Sequence, residues 1–190
     1  MKQKGCPMIP FLLGERIYLR ALVDEDANEN YPLWFNDEEV CAGNSHHVYP
    51  YSRDEARQYI RNVNADRSQL VLAICLQDIG NKHIGNVALQ NIHPVYRSAE
   101  FAIVIGDKEC WNKGYGKEAA ALMIDHGFGT LNLHRVTCGT FETNIGMMVI
   151  ALWLGMKQEG VRRDAAFKDG KYLPVIEFGM VRNEWQSVIS

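Results

Sequence analysis

The sequence predicts a single mixed α+β domain. Three observations carry this. The middle of the chain holds three apolar, β-branched runs linked by turn signals, as antiparallel strands are. Capped helical stretches stand before and after them. Two further strands close the chain, joined at Asp169-Gly170, a strong hairpin signal.

Taken in order, "MKQKGCPMIPFLLGER" carries a short apolar patch interrupted by Pro7 and Pro10. It is a poor signal peptide and reads as a tail or a first edge strand. "RIYLRAL" alternates and reads as a strand. Asp24 offers an N-cap for a helix through Trp34, and "NDEEVCAGN" a second short helix ending near Gly43. Ser52 with Glu55 forms a capping box that opens a helix to about Val63. "LVLAICL" and "HIGNVALQNI" form a hairpin across "DIGNKH", and "EFAIVI" follows as the next strand. Apolar residues from Lys117 to Leu131 recur at helical spacing. "HRVTCGTF" is a strand, and Asn144 to Leu154 a helix stopped by Gly155. In the closing hairpin Pro174 interrupts "YLPVIEFGMVR", which predicts an edge position or a bulge. The domain is read as residues 15–183, with tails at 1–14 and 184–190.

Composition excludes several classes. No run of about eighteen apolar residues exists, so no membrane span or membrane partner is expected. A net charge of −3 argues against direct nucleic-acid binding. Cys6, Cys41, Cys75, Cys110 and Cys138 are odd in number and lack a CxxC pair, which predicts free thiols in a reducing, cytoplasmic setting. His46-His47 are sequence neighbours that do not face one another, so no metal site is expected. Between Ala21 and Ser52 there is no Lys or Arg. Asp24, Glu25, Asp26, Glu29, Asp37, Glu38 and Glu39 there read either as a solvated face or as an acidic rim that attracts a cationic amine.

The chemistry centres on "CWNKGYGKEAA", a glycine-rich turn entering a helix. A Walker A loop is rejected, because Glu118 stands where the magnesium-binding hydroxyl belongs. Gly114, Gly116 and Ala119 match the GxGxxA of a dinucleotide-binding turn, with Glu142 after the next strand as a ribose-binding acid. Against this, Gly106 to Lys113 separate the turn from its strand, and the preceding strands are hairpins rather than parallel crossovers. The third reading is a diphosphate cradle for coenzyme A. Main-chain N–H groups and the positive end of the helix face the phosphates, and Lys113 and Lys117 add full charges.

"AEFAIVIGDKECWNKGYGKEAAALMIDHGFGTLNLHRV" resembles the acyl-CoA-binding core of the GNAT acetyltransferase superfamily. The branch most resembled contains ribosomal-protein N-terminal acetyltransferases and spermidine acetyltransferases. The likeness continues through "LGMKQEGVRRDAAFKDGKYLPVIEFGM" and back to "ERIYLRAL", "DEDA" and "LWFNDEEV", so it spans nearly the whole chain in order. It implies a central, mostly antiparallel sheet of about six to seven strands with one splayed pair that admits the pantetheine arm, flanked by helices. It implies acetyl-CoA as co-substrate and no metal. Val104 and Ile105 are expected to offer main-chain contacts, and Trp111, Asn112, Lys113, Gly114, Tyr115, Gly116 and Lys117 to wrap the diphosphate. Asn144, opening the next helix, is expected to touch the cofactor.

Two residue types common in that branch are missing. Met147 replaces a serine three positions after Asn144, and Ala151 a tyrosine seven positions after it. Proximity carries more of the expected rate as a result, with a thiolate as leaving group. Glu100 is the expected base, acting through water, and its structural alternative is a salt bridge with Arg97 or Arg135. Cys138 is a candidate proton donor, and otherwise a small buried residue. Tyr172 is a substrate-side candidate whose alternative is hairpin packing. The sequence thus predicts an N-acetyltransferase, an acyltransferase moving acetyl groups directly to a primary amine. The acceptor is a peptide N-terminus, a polyamine or an amino sugar. A non-catalytic acyl-CoA-binding or regulatory domain is the alternative, motivated by Met147 and Ala151, and a dinucleotide-binding protein the less supported one. A homodimer through an edge strand is compatible with the pattern.

Overall fold

The computed structural model describes residues 9–78 and 80–187. Cys6 and Pro7 lie outside the described residues. Eight strands form one sheet, in the order β1-β2-β3-β4-β5-β6-β8-β7. They are β1 (Leu12–Leu13), β2 (Ile17–Ala21), β3 (Leu70–Leu76), β4 (His83–His93), β5 (Ser98–Ile105), β6 (Arg135–Phe141), β7 (Lys157–Lys168) and β8 (Lys171–Val181). The helices are α1 (Tyr31–Trp34), α2 (Glu38–Cys41), α3 (Arg53–Ala65), α4 (Tyr115–Gly129) and α5 (Ile145–Trp153).

β1 to β5 run antiparallel in chain order, β5 pairs parallel with β6, and β8 inserts antiparallel between β6 and β7. The one-residue alternation of the strands separates two apolar layers. Ile17, Leu19, Phe101, Val136 and Phe178 pack on the face of α4 and α5 with Met123, Ile124 and Phe128. Tyr18, Val71, Ala73, Cys75 and Ala88 pack on the other face under α1 to α3, with Tyr31, Trp34 and Ile60.

Several expectations meet the structure closely. The Ser52 box forms: Glu55 N donates to Ser52 Oγ and Ser52 N donates to Glu55 Oε2. Leu70–Leu76 is a strand end to end. Pro174 meets a bulge, where the β7 register jumps between Arg162 and Ala166. Of the two readings for the N-terminal stretch, residues 12–13 take the edge strand. At the other end, in the stretch read as a tail, Trp185 donates from its indole to Asp125 on α4 at 2.5 Å.

The expected helix from Asp24 to Trp34 is corrected. A 3-10 turn, Asp24–Asn28, is followed by the separate α1. The cause is Asp26, whose carboxylate turns inward. Its Oδ2 accepts from Val23 N at 2.9 Å, and both oxygens take a bidentate fork from Arg20, at 2.8 and 2.7 Å. Arg20 and Asp26 are 3% and 1% exposed, so this is a buried ion pair. Pro32 also favours starting a new helix at its first turn.

Candidate active site

β5 and β6 hold together at three rungs only: Ser98 with Arg135, Ala99 with Val136, and Glu100 with Thr137. Beyond Glu100 the strands part while β5 continues to Ile105 and β6 to Phe141. The gap is the splayed pair. Its far end is met by the cradle, where Asp107 caps a short 3-10 turn, Lys108–Cys110, through Glu109 N. Trp111, Asn112 and Lys113 follow, and α4 begins.

The register decides which main-chain groups face the gap. Gly106 N donates to Ile84 O at 2.9 Å, and Asn86 pairs with Val104, so the even-numbered residues of β5 spend their main-chain bonds on β4. Those of Ile103 and Ile105 point the other way, into the gap. Val104 is therefore corrected as a main-chain contact: its side chain instead joins the layer under α1 to α3. The Ile105 carbonyl already has a partner, the Trp111 indole N–H at 2.7 Å. Trp111 thus ties the loop to the end of the strand by its side chain.

Gly114 is the N-cap of α4 at φ 85°, a conformation costly for any residue with a Cβ, and no side chain caps the helix. The first-turn amides are left for another acceptor. At Gly116 a Cβ would meet Ile150 Cδ1 at 3.3 Å, Ile105 Cγ1 at 3.7 Å and Ile103 Cδ1 at 3.9 Å. The bare position therefore keeps open the corner where α4, α5 and the gap converge. Lys113 is exposed, and Lys117 lies 5.5 Å over the Trp153 ring of α5. An uncapped helix mouth, a position that a Cβ would fill, two lysines and two strands that have parted fit a diphosphate with a pantetheine arm.

The cradle is fastened from beneath by a clamp that the sequence did not disclose. Glu118 accepts from Arg16 N at 2.8 Å, Arg16 Nε at 3.0 Å and Ile17 N at 3.2 Å. Arg16 Nη1 donates onward to Lys113 O at 2.8 Å, and the guanidinium sits 4.9 Å over the Tyr115 ring. The residue that ruled out a Walker loop is a structural anchor here.

Asn144 is occupied on both sides. Its Oδ1 accepts from Met147 N at 3.0 Å as the α5 cap, and its Nδ2 donates to Gly43 O at 2.8 Å. Asn144→Ala is expected to cost about 1 kcal/mol as a lost cap, and more through the freed Gly43 loop, read as a lower melting temperature.

Glu100 is half-buried at the vertex where the strands part, and its Oε2 accepts from Asn91 Nδ2 at 3.2 Å. Arg135 pairs with Glu159 instead. Cys138 is 0% exposed, its thiol on Met156 Sδ at 3.6 Å, and the structure does not bring it to the gap. Burial, then the nearby Glu177 and Glu100 carboxylates, push its thiol up to about 12, which suits a core residue. Met147 and Ala151 are core residues as well, and Tyr172 packs on Phe167 in the exposed hairpin.

Four of the seven carboxylates of the acidic stretch are paired within the fold, by three cations. Asp24 pairs with Arg61, Asp26 with Arg20, and Lys108 holds both Asp37 and Glu39. Sequence reasoning also missed a cavity of 140 Å³ on the α1–α3 face, which opens beside Ala102, Ile103 and Val104. It is gathered from segments far apart in the chain, and Tyr31, Phe35, Tyr51 and Tyr59 form its walls.

Against known proteins, the family model described as "Acetyltransferase (GNAT) domain" matches residues 16–157. The chain belongs to the GNAT acetyltransferase family. It is 26% identical over 182 residues to an uncharacterized N-acetyltransferase, p20, of Bacillus licheniformis, covering 92% of this chain and 97% of that one. It is 28% identical over 176 residues to the spermidine N(1)-acetyltransferase of Vibrio cholerae, covering 90% and 91%. Among solved structures, a probable acetyltransferase superposes with a TM-score of 0.83 at 25% identity, over 94% of this chain and 99% of that one. A spermidine N-acetyltransferase from Vibrio cholerae, solved with CoA and spermine, shares the fold with a TM-score of 0.80 at 24% identity, over 89% and 97%.

Proposed function

We propose that this chain is an acetyl-CoA-dependent N-acetyltransferase that moves the acetyl group directly to a primary amine. The observation that carries it is the three-rung β5–β6 pair opening next to an uncapped, glycine-bared helix mouth. Bound acetyl-CoA supplies the acetyl group as an activated thioester. The first-turn amides of α4, with Lys113 and Lys117, hold the diphosphate. The main chain of Ile103 and the N–H of Ile105 align the arm along β5. The amine must be neutral to attack, and Glu100, at the vertex, accepts its proton through water. Positioning is a main source of rate.

The test is release of free thiol from acetyl-CoA with spermidine, an alanine- or serine-starting peptide and an amino-sugar nucleotide. Glu100→Gln is expected to lower turnover by about a hundredfold at neutral pH with coenzyme A affinity kept. Full activity in that variant removes Glu100 as the base. Met147 and Ala151, both in the core, favour a second reading: a domain that binds acyl-CoA without turning it over. Coenzyme A binding with no thiol release on any amine supports that second reading.

A further inference from the structure

We propose that the cavity walled by Tyr31, Phe35, Tyr51 and Tyr59 is the acceptor pocket, and that it takes a primary amine carried on one ring-sized apolar group. This rests on the acetyltransferase reading and narrows its substrate. Four observations carry it. The cavity lies on the side-chain face of Ala102 and Val104, on the strand that borders the gap, so a group lodged there holds its amine beside the arm. Its volume is 140 Å³, close to the cavity of about 150 Å³ that accommodates a benzene ring. Its walls are ring faces already arranged edge to face: Tyr31 stands 5.3 Å from Phe35 and 6.2 Å from Tyr51, and Phe35 stands 5.1 Å from Tyr51. An inserted ring continues that packing.

The fourth observation is electrostatic. Among the described residues lining the cavity none is a carboxylate; its polar groups are the amides of Asn86 and Gln90, the tyrosine hydroxyls and the His46 ring. Desolvation, and then the charge of Lys168, lower the His46 pKa, so its ring is uncharged near neutral pH. The carboxylate behind Tyr31 and His83 is Asp26, and Arg20 already neutralises it. A second ammonium of a polyamine therefore finds no counter-charge in the cavity, whereas an apolar ring needs none. The same chemistry is offered by a free arylalkylamine and by a peptide starting with phenylalanine.

The experiment measures thiol release from acetyl-CoA with 2-phenylethylamine, n-propylamine and spermidine, and with Phe- and Ala-starting tripeptides. The expected result is a kcat/KM for the ring amine about ten- to a hundredfold above that for n-propylamine. Ala102→Leu, which fills the cavity from the strand side, should collapse that ratio through KM. The two tripeptides separate the sources: a strong preference for the Phe-starting one assigns the peptide, and a preference confined to the free amine assigns the small molecule. A ratio near one, a preference for spermidine, or a ratio unmoved in a folded Ala102→Leu variant overturns the proposal while leaving acetyl transfer intact. Should no amine turn over although coenzyme A binds, the catalytic reading fails. The cavity is then decided by NMR, where ring contacts of 2-phenylethylamine with Tyr51 and Tyr59 support the pocket and their absence overturns it.

Discussion

Replacing Asp26 by asparagine is expected to lower the unfolding free energy by about 3–5 kcal/mol. The replacement leaves the Arg20 guanidinium, 3% exposed, without the carboxylate that holds it by two hydrogen bonds. The loss is large because the remaining charge cannot reach water, and because the same carboxylate orders Val23 and sits 3.4 Å from His83. Urea unfolding at neutral pH measures it, and a loss below about 1 kcal/mol would mean that Arg20 finds another partner. The pair also sets a pH dependence. Burial pushes the Asp26 carboxyl upward, but Arg20, His83 and the Val23 N–H outweigh it and hold the folded-state pKa below the ordinary 3.8. A carboxyl lowered on folding contributes its full stability above its unfolded pKa. The wild-type protein should therefore lose stability as the pH falls below about 4, while the asparagine variant shows a flatter acid limb.

Gly116→Val is expected to weaken coenzyme A about ten- to a hundredfold, or about 1.4–2.7 kcal/mol, with little change in melting temperature. The new methyl groups enter the corner where Ile103, Ile105 and Ile150 approach to 3.3–3.9 Å of a Cβ. On the proposed reading they would stand between the first-turn amides and the arm's path along β5. The flexible end of Ile150 can shift to admit them, so the fold survives while the mouth narrows. Titration calorimetry with coenzyme A and a thermal melt separate the two effects. Unchanged affinity would place the ligand elsewhere.

The order of elements was legible because it is written locally. "LVLAICL" is apolar throughout, as a strand buried on both faces must be, Ser52 and Glu55 sit at the spacing a cap needs, and Asp169-Gly170 suits a tight turn. What stayed hidden depends on distance or parity. Asp26 looks like one acid among seven, and only the fold turns it toward Arg20. Val104 and Ile105 are neighbours in sequence, yet a strand sends their main-chain groups in opposite directions, and nothing local says which. Cys138 alternates on a strand that does line the gap, but its own side faces the core. The tyrosine-walled cavity collects α1, the segment before α3, α3 itself and three strands, a juxtaposition that no periodicity reports.

The Arg16–Glu118 clamp joins residues 102 positions apart in the chain. The turn ahead of β2 and the first coil of α4 are thereby held to one another. A chain early in its synthesis cannot complete that helix mouth, because the Arg16 side of the fastening must wait for its distant partner, Glu118. A ligand that orders that helix mouth is therefore expected to steady the turn ahead of β2 as well.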